Sequence, residues 1–275
     1  MADPFFEAGR YMKFVTWNVN SLRARTERVR HWISENNPDV VCLQETKCSD
    51  ESYPAEIFRE LGYESAHYGF GQWNGVAVIS KIGLESVESG FLNSDEEITK
   101  EARLLRAKCG KVDVWSAYIP NGRIVGSEHY EAKLIWLKAL LRELELRADK
   151  TEPLLLCGDF NIAPYDTDVF DIKMFAGSTH VTERERLGLK SVLDWGLFDI
   201  AAETHGTEAD LPFTWWDYRG GSFHKNFGMR IDLMLGSKAV LDSTERLYVD
   251  RDARKKGKEL SAPSDHAPVV LEIRD

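Results

Sequence analysis

Short apolar runs punctuate the chain at 13–17, 39–43, 76–80, 112–119, 153–157, 231–235 and 267–273. Runs of this length bounded by polar residues predict buried strands. Between them the apolar positions take a helical period. Thr26 to Asn36 sets Val29, Trp32 and Ile33 on one face and stops before Pro38. The stretch 128–147 aligns Leu134, Leu137, Leu141 and Leu144 and predicts the longest helix. Thr182 with Glu185 three residues on is a capping box, opening a helix through Trp195. Asn74-Gly75 is a tight-turn signal leading into the strand at Val76. Short strands interspersed with amphipathic helices predict a layered α/β protein. The pattern fits one doubly wound sheet or two sheets packed face to face. No repeat or low-complexity linker interrupts it, so the expectation is a tail over 1–11, with Met12 as an alternative start, followed by a single domain over 12–275.

Composition narrows the class. A chain of 275 residues with 43% hydrophobic content can bury a sizeable core. It holds no apolar run of about 18 residues, the minimum for a membrane span. Its start, which carries Asp3 and Glu7, does not read as a signal peptide. Cysteines 42, 48, 109 and 157 have no Cys-x-x-Cys spacing and no nearby histidine in sequence, which predicts buried reduced thiols and a cytoplasmic location. The net charge of −10 argues against DNA binding through bulk charge, but the basic residues are clumped. Arg23, Arg25, Arg28 and Arg30 form one group, with 28 and 30 read as a solvated helix face. Arg251, Arg254, Lys255, Lys256 and Lys258 form a second, read as a loop that could meet phosphate.

Candidate chemistry lies where apolar runs end. Trp17-Asn18-Val19-Asn20, Leu43-Gln44-Glu45-Thr46-Lys47, Cys157-Gly158-Asp159-Phe160-Asn161, Arg230-Ile231-Asp232-Leu233 and Pro263-Ser264-Asp265-His266-Ala267-Pro268 each close a strand on acidic, amide or imidazole groups. Hydrolysis of a phosphodiester needs charge neutralisation at the phosphoryl oxygens and an activated water. Glu45, Asp159, Asp232 and Asp265, with Asn18 and Asn161, supply hard oxygen groups that suit Mg²⁺. No cysteine or multi-histidine set suits zinc. Gly158 predicts a sharp turn off the sheet, and residues two apart on an extended segment share a side, so Asp159 and Asn161 could face one phosphate together; the alternative is a turn held by an Asx hydrogen bond.

In this order the five stretches resemble the signature of the exonuclease III family of DNA-repair nucleases, from about Lys13 to the C-terminus. The resemblance implies a four-layer α/β/β/α sandwich of two mixed sheets flanked by helices. It implies Glu45 as principal Mg²⁺ ligand (Mn²⁺ substituting), with Asn18 close by and Asp265 near the metal. It gives Asp159 and Asn161 the attacking water and pairs Asp232 with His266. Ala117-Tyr118-Ile119-Pro120-Asn121-Gly122 is similar to the family's tyrosine motif, which places Tyr118 on the scissile phosphate and Asn121 and Arg123 on DNA; Asn74 is a separate candidate for DNA contact. Phe213 to Arg219 is similar to its aromatic segment, which puts Trp215 and Ile231 against an extruded sugar, with one of Trp215 and Trp216 packed inward. Asn20 stands where some members carry aspartate, and Ser21 where many have glycine.

The implied protein is a monomeric Mg²⁺-dependent hydrolase of double-stranded DNA. It would cut 5′ to abasic sites, or remove nucleotides or blocking groups from damaged or recessed 3′ ends. The alternative keeps the fold and takes a phosphoinositide or sphingolipid phosphodiester; Phe213 to Arg219 and the lack of a lipid-facing apolar stretch weigh against it.

Overall fold

Alternation along one strand decides the layering. Met12 and Phe14 join one buried apolar cluster, while Val15 and Trp17, pointing the other way, join another. The computed structural model describes residues 11–92, 96–206, 211–257 and 260–275. The first part runs β1 (Tyr11–Asn18), α1 (Leu22–Asn36), β2 (Val40–Gln44), α2 (Ala55–Glu60), β3 (Glu64–Tyr68) and β4 (Val76–Ser80). The chain continues through β5 (Glu85–Ser89), β6 (Leu104–Cys109), β7 (Val112–Tyr118), α3 (Glu128–Arg147), β8 (Leu154–Asp159), α4 (Glu183–Asp194) and β9 (Phe198–Asp199). It ends with α5 (Ile200–His205), β10 (Trp215–Trp216), α6 (Ser222–Lys225), β11 (Gly228–Met229), β12 (Asp232–Gly236), α7 (Lys238–Ser243), β13 (Thr244–Val249) and β14 (Val269–Arg274).

The strands form two six-stranded sheets, ordered β13-β14-β1-β2-β4-β3 and β5-β6-β7-β8-β12-β9, with β10 and β11 as a separate pair. Both sheets are mixed. Each has one parallel pair, β1 with β2 and β7 with β8, joined by a helical crossover through α1 and α3. One apolar cluster fills the space between the sheets, with Phe14, Cys42 and Val78 from the first and Ala107, Leu155 and Cys157 from the second. Two further clusters seat α1 under the first sheet and α3 with α4 under the second. Two sheets are therefore packed face to face and covered by helices, the four-layer arrangement. A buried polar bridge also crosses between them: the Gln44 amide on β2 donates to Ser116 on β7 at 3.1 Å and to Thr16 on β1 at 3.0 Å.

The helices match the sequence pattern closely. Thr182 and Glu185 make the capping box of α4, and Ser127 caps α3. Helix α1 begins four residues ahead of Thr26, with a kink at Arg25 separating that first turn from the regular part. Strands β3, β5, β6 and β13 were not expected; exposed or mixed positions such as Glu85-Ser86-Val87-Glu88 give no apolar run. Tyr11, expected in the tail, opens β1 opposite Arg274, while 1–10 lie outside the described residues.

All four cysteines are buried and free. The expectation of no histidine partner fails at Cys48, whose sulfur lies 3.6 Å from His67 Nε2 across the β3 edge. Arg28 corrects the solvated-face reading. It is buried, and its guanidinium donates to the carbonyls of Ser261, Ala253 and Lys255. Arg254 is buried as well and reaches the Trp216 carbonyl, so two members of the basic clumps are structural ties rather than free charge. Lys258 lies outside the described residues.

Replacing Arg28 by alanine leaves those carbonyls without their donor. The expected cost is about 2–3 kcal/mol, read as a lowered urea midpoint with an unchanged slope. A midpoint within error of the parent would show that solvent replaces the guanidinium.

Candidate active site

The register of the second sheet lines up three functional groups. Tyr118 on β7 lies opposite Asp159 on β8, and Asp159 opposite Asp232 on β12. From the facing sheet, Asn18 closes β1 and Glu45 follows β2, while His266 precedes β14. Antiparallel β14 and parallel β2 flank β1, so chain ends far apart in sequence meet at one edge.

Asn18 joins the two sheets at this edge. Its amide nitrogen donates to Glu45 Oε1 at 2.8 Å and to Asp159 Oδ2 at 2.9 Å. Its oxygen is taken by the backbone N–H of Asn20, so the side chain faces the carboxylates with its NH₂. His266 Nδ1 contacts Asp232 Oδ2 at 2.8 Å, and its Nε2 lies 3.9 Å from Asp159 Oδ2. Glu45, Asp159 and His266 bring donor atoms within 4.8 Å of one another. Asp265 stands outside that trio, accepting from Asn20 Nδ2 and Trp215 Nε1 at 3.0 Å each. Lys47 links the groups, reaching Asn20 Oδ1 at 2.7 Å and Glu45 Oε2 at 2.8 Å.

Electrostatics separate the carboxylates. Burial pushes Asp159 up to about 7, reinforced by the charges of Asp232 and Glu45 and opposed by His266. Burial works against charge at Glu45 too, but Lys47 and the Asn18 amide hold it below the usual carboxylate range. At His266 burial disfavours the cation, yet Asp232, Asp159 and Asp265 outweigh it and raise the imidazole to about 10. A ring that keeps its proton on both nitrogens is a poor metal ligand. The carboxylates of Glu45 and Asp159 are therefore the groups that fit a divalent cation, and hard oxygens of this kind suit such an ion. Burial and the Glu45 charge keep the Tyr118 phenol well above its ordinary value, hence a neutral donor.

Backbone strain concentrates here. Glu45 and Asn161 both have left-handed φ, 53° and 51°, a conformation costly for residues with a side chain. Neighbours hold both. Thr46 and Lys47 bond through backbone N–H to the carbonyls of Gly75 and Asn74. A side chain at Gly75 would lie 2.1 Å from Thr46 Oγ1. Asn161 donates its N–H to Asp159 Oδ1 at 2.9 Å and its amide to the Ile119 carbonyl at 3.0 Å. The turn thus carries an Asx hydrogen bond, and the Asn161 amide is bonded to Ile119 and Asn121 rather than to Asp159. Gly158 serves a different end from the expected turn. It lies within β8, where a Cβ would fall 1.8 Å from the Ala117 carbonyl.

Among the groups expected on DNA, Asn121 donates to Asn161 Oδ1 at 3.1 Å, Arg123 is exposed, and Asn74 holds Glu101 at 3.2 Å beside the Glu45 loop. Trp216 is the buried tryptophan and Trp215 is half-buried. Ile231 is 2% exposed, packed with Ala163, Val169 and Met229 against Trp215. Met229 was missed because a methionine after a glycine carries no signal. Lys133, His180 and Glu185 were missed as site neighbours because nothing in sequence sets them beside Asn161, although Glu185 was legible as a cap.

Divalent-cation binding at Glu45 and Asp159 requires both to be ionised, so it should release a proton from Asp159 around neutrality. Affinity is expected to rise roughly tenfold per pH unit below about 7 and to level off above it. Calorimetry of Mg²⁺ or Ca²⁺ binding in buffers of different ionisation enthalpy reads both the affinity and the proton. A pH-independent affinity between 6 and 8 would place the ion elsewhere.

Comparison with known proteins places this geometry. The model of the Endonuclease/Exonuclease/phosphatase family matches residues 15–266. Exodeoxyribonuclease III of Haemophilus influenzae is 34% identical over 272 residues, 96% of this chain and 100% of that protein. An AP endonuclease structure from Archaeoglobus fulgidus superposes with a TM-score of 0.89 at 34% identity, covering 96% of this chain and 99% of its own. A 3′-5′ exonuclease structure from Neisseria meningitidis gives 0.88 at 33%, covering 96% and 100%. With the family model spanning both ends of the site and relatives matched over nearly their whole length, the chain belongs to the exonuclease III/AP endonuclease family of the endonuclease/exonuclease/phosphatase superfamily and is a hydrolase of the nuclease kind.

Proposed function

We propose that the protein is a Mg²⁺-dependent DNA-repair phosphodiesterase that cleaves duplex DNA 5′ to abasic sites and removes nucleotides or blocking groups from 3′ ends. The observation that carries this reading is the convergence of Glu45, Asp159 and His266 within 4.8 Å, with Asp232 behind the imidazole at 2.8 Å. Glu45 and Asp159 would hold the metal, which when bound supplies positive charge at the phosphoryl oxygens. Asp159, ionised once the metal is held, takes the proton from the attacking water, and Asn161 orients that water. His266, kept cationic by Asp232, stabilises the negative charge that grows on the phosphorus centre. Tyr118 donates to a phosphate oxygen. Trp215, with Ile231 and Met229 behind it, forms the apolar wall for a base-free sugar. Buried free cysteines suit a reducing cytoplasm. No helix among the described residues is long and apolar enough to cross a membrane.

Two 5′-labelled duplexes test the reading, one with an internal abasic-site analogue and one with a recessed 3′ end, each with Mg²⁺ and with chelator. A single Mg²⁺-dependent cut at the abasic position and a ladder on the second duplex are expected. If both stay intact, the site serves another phosphodiester. Asp159→Asn should lower kcat by about 10²–10⁴-fold, the usual worth of a general base, with DNA binding nearly unchanged. Glu45→Ala should raise the Mg²⁺ needed for half-maximal rate by about tenfold or more, because a hard-oxygen ligand is lost. A variant with the parent's Mg²⁺ requirement would remove Glu45 from the ligand set.

A further inference from the structure

Beneath the site lies an ion pair that no step above uses. Lys133 on α3 and Glu185 on α4 are both 0% exposed, with Nζ 2.5 Å from Oε1. Burying two charges costs several kcal/mol per ion before their attraction is counted, so such a pair seldom persists for stability alone. Glu185 is saturated with donors. Thr179 Oγ1 at 2.7 Å, the His180 N–H at 3.0 Å and Thr182 Oγ1 at 2.7 Å all point to it. Lys133 is aimed elsewhere as well: its ammonium donates to the Asn161 carbonyl at 2.6 Å.

That carbonyl takes a second donor. His180 Nδ1 lies 2.5 Å from it. A carbonyl only accepts, so Nδ1 carries the hydrogen. Burial, helped by the Lys133 charge, holds the imidazole down to about 4, so this contact is made by a neutral ring. His180 itself sits at φ 80° and passes its own carbonyl to Ala163 N–H at 2.8 Å. Gly122, beside Asn121, completes the enclosure, since a Cβ there would meet Thr179 Oγ1 at 2.5 Å and Lys133 Cδ at 3.4 Å.

Asn161 is the residue that needs such a hold. Its backbone is left-handed, its N–H holds Asp159 Oδ1, and its side chain donates to the Ile119 carbonyl and accepts from Asn121, so a shift of this turn would move Asp159 with it. We propose that Lys133 and His180 are positioning residues: together they clamp the Asn161 carbonyl and thereby fix the Asp159–Asn161 turn for water activation, with Glu185 orienting the ammonium. This rests on the roles proposed above for Asp159 and Asn161.

The test is the paired variant Lys133→Met with Glu185→Gln. It removes both charges together and leaves the glutamine oxygen to accept from Thr179 and the His180 N–H. The expected result is a loss of kcat of about 10²-fold, the scale of a small misplacement of a reacting group, with KM for DNA unchanged. Hydrogen exchange should quicken in 159–163 and 119–123 and stay at parent rates elsewhere. Because the clamp acts through Asn161, the paired variant combined with Asn161→Ala should lose little more activity than Asn161→Ala alone. Losses that multiply, an unchanged kcat, or exchange that rises across the whole protein would each overturn the proposal. If the paired variant does not fold, His180→Gly, which suits the backbone at φ 80°, removes one donor and should quicken exchange in 159–163; parent exchange there overturns the clamp. If the parent cuts neither duplex, the nuclease reading fails, and the exchange measurement still decides whether Asn161 is held.

Discussion

Two carboxylates from different sheets must sit side by side in a buried edge, and the rest of the structure answers that constraint. Glu45 and Asp159 repel each other at short range, and neither can ionise freely out of water. The Asn18 amide spans them with two donated hydrogen bonds, Lys47 neutralises one flank, and the His266 cation faces the other. Asp232 then holds the imidazole from behind. The balance is uneven. Glu45 stays acidic while Asp159 is left near neutrality.

Such a cluster cannot be hung on slack loops. The inter-sheet layer is packed with Phe14, Cys42, Leu155 and Cys157, and it fixes the distance between the sheets. The Thr16, Gln44 and Ser116 bridge lies immediately below the site and ties the same strands together by hydrogen bonds. Charges that looked like surface decoration take part in this bracing. Arg28 fastens the carbonyls of Ala253, Lys255 and Ser261 to α1, and Ser261 leads into Ser264, Asp265 and His266. Arg230, buried between Asp168 and Asp199, anchors the chain just before Asp232.

Where the chain leaves the sheets, the backbone is bent against its preference and held there by neighbours. Glu45 and Asn161 show this most clearly, one restrained from the 74–75 loop and the other by groups on α3 and in the 179–182 segment. Strain of this sort persists only where the surroundings over-determine it. Both instances lie at residues to which the proposed mechanism gives a part.

The amino-acid sequence by itself determined the strands that bury both faces, the helices with a clear apolar stripe and proper caps, and the motif positions at the starts or ends of those strands. These are local properties: period, cap chemistry and the abrupt change from apolar to polar are written within a few residues. Glu45, Asp159, Asn161, Asp232 and His266 were legible for that reason. Edge strands such as 85–89 were not, because half their positions face solvent and no period survives. Only the tertiary structure decided that Asn18 turns its nitrogen to two carboxylates, that Arg28 and Arg254 are buried ties, and that Lys133 and His180 lie beneath Asn161. Each of these depends on which long-range neighbour a polar group meets once water is excluded, and residue type and spacing carry no record of that meeting.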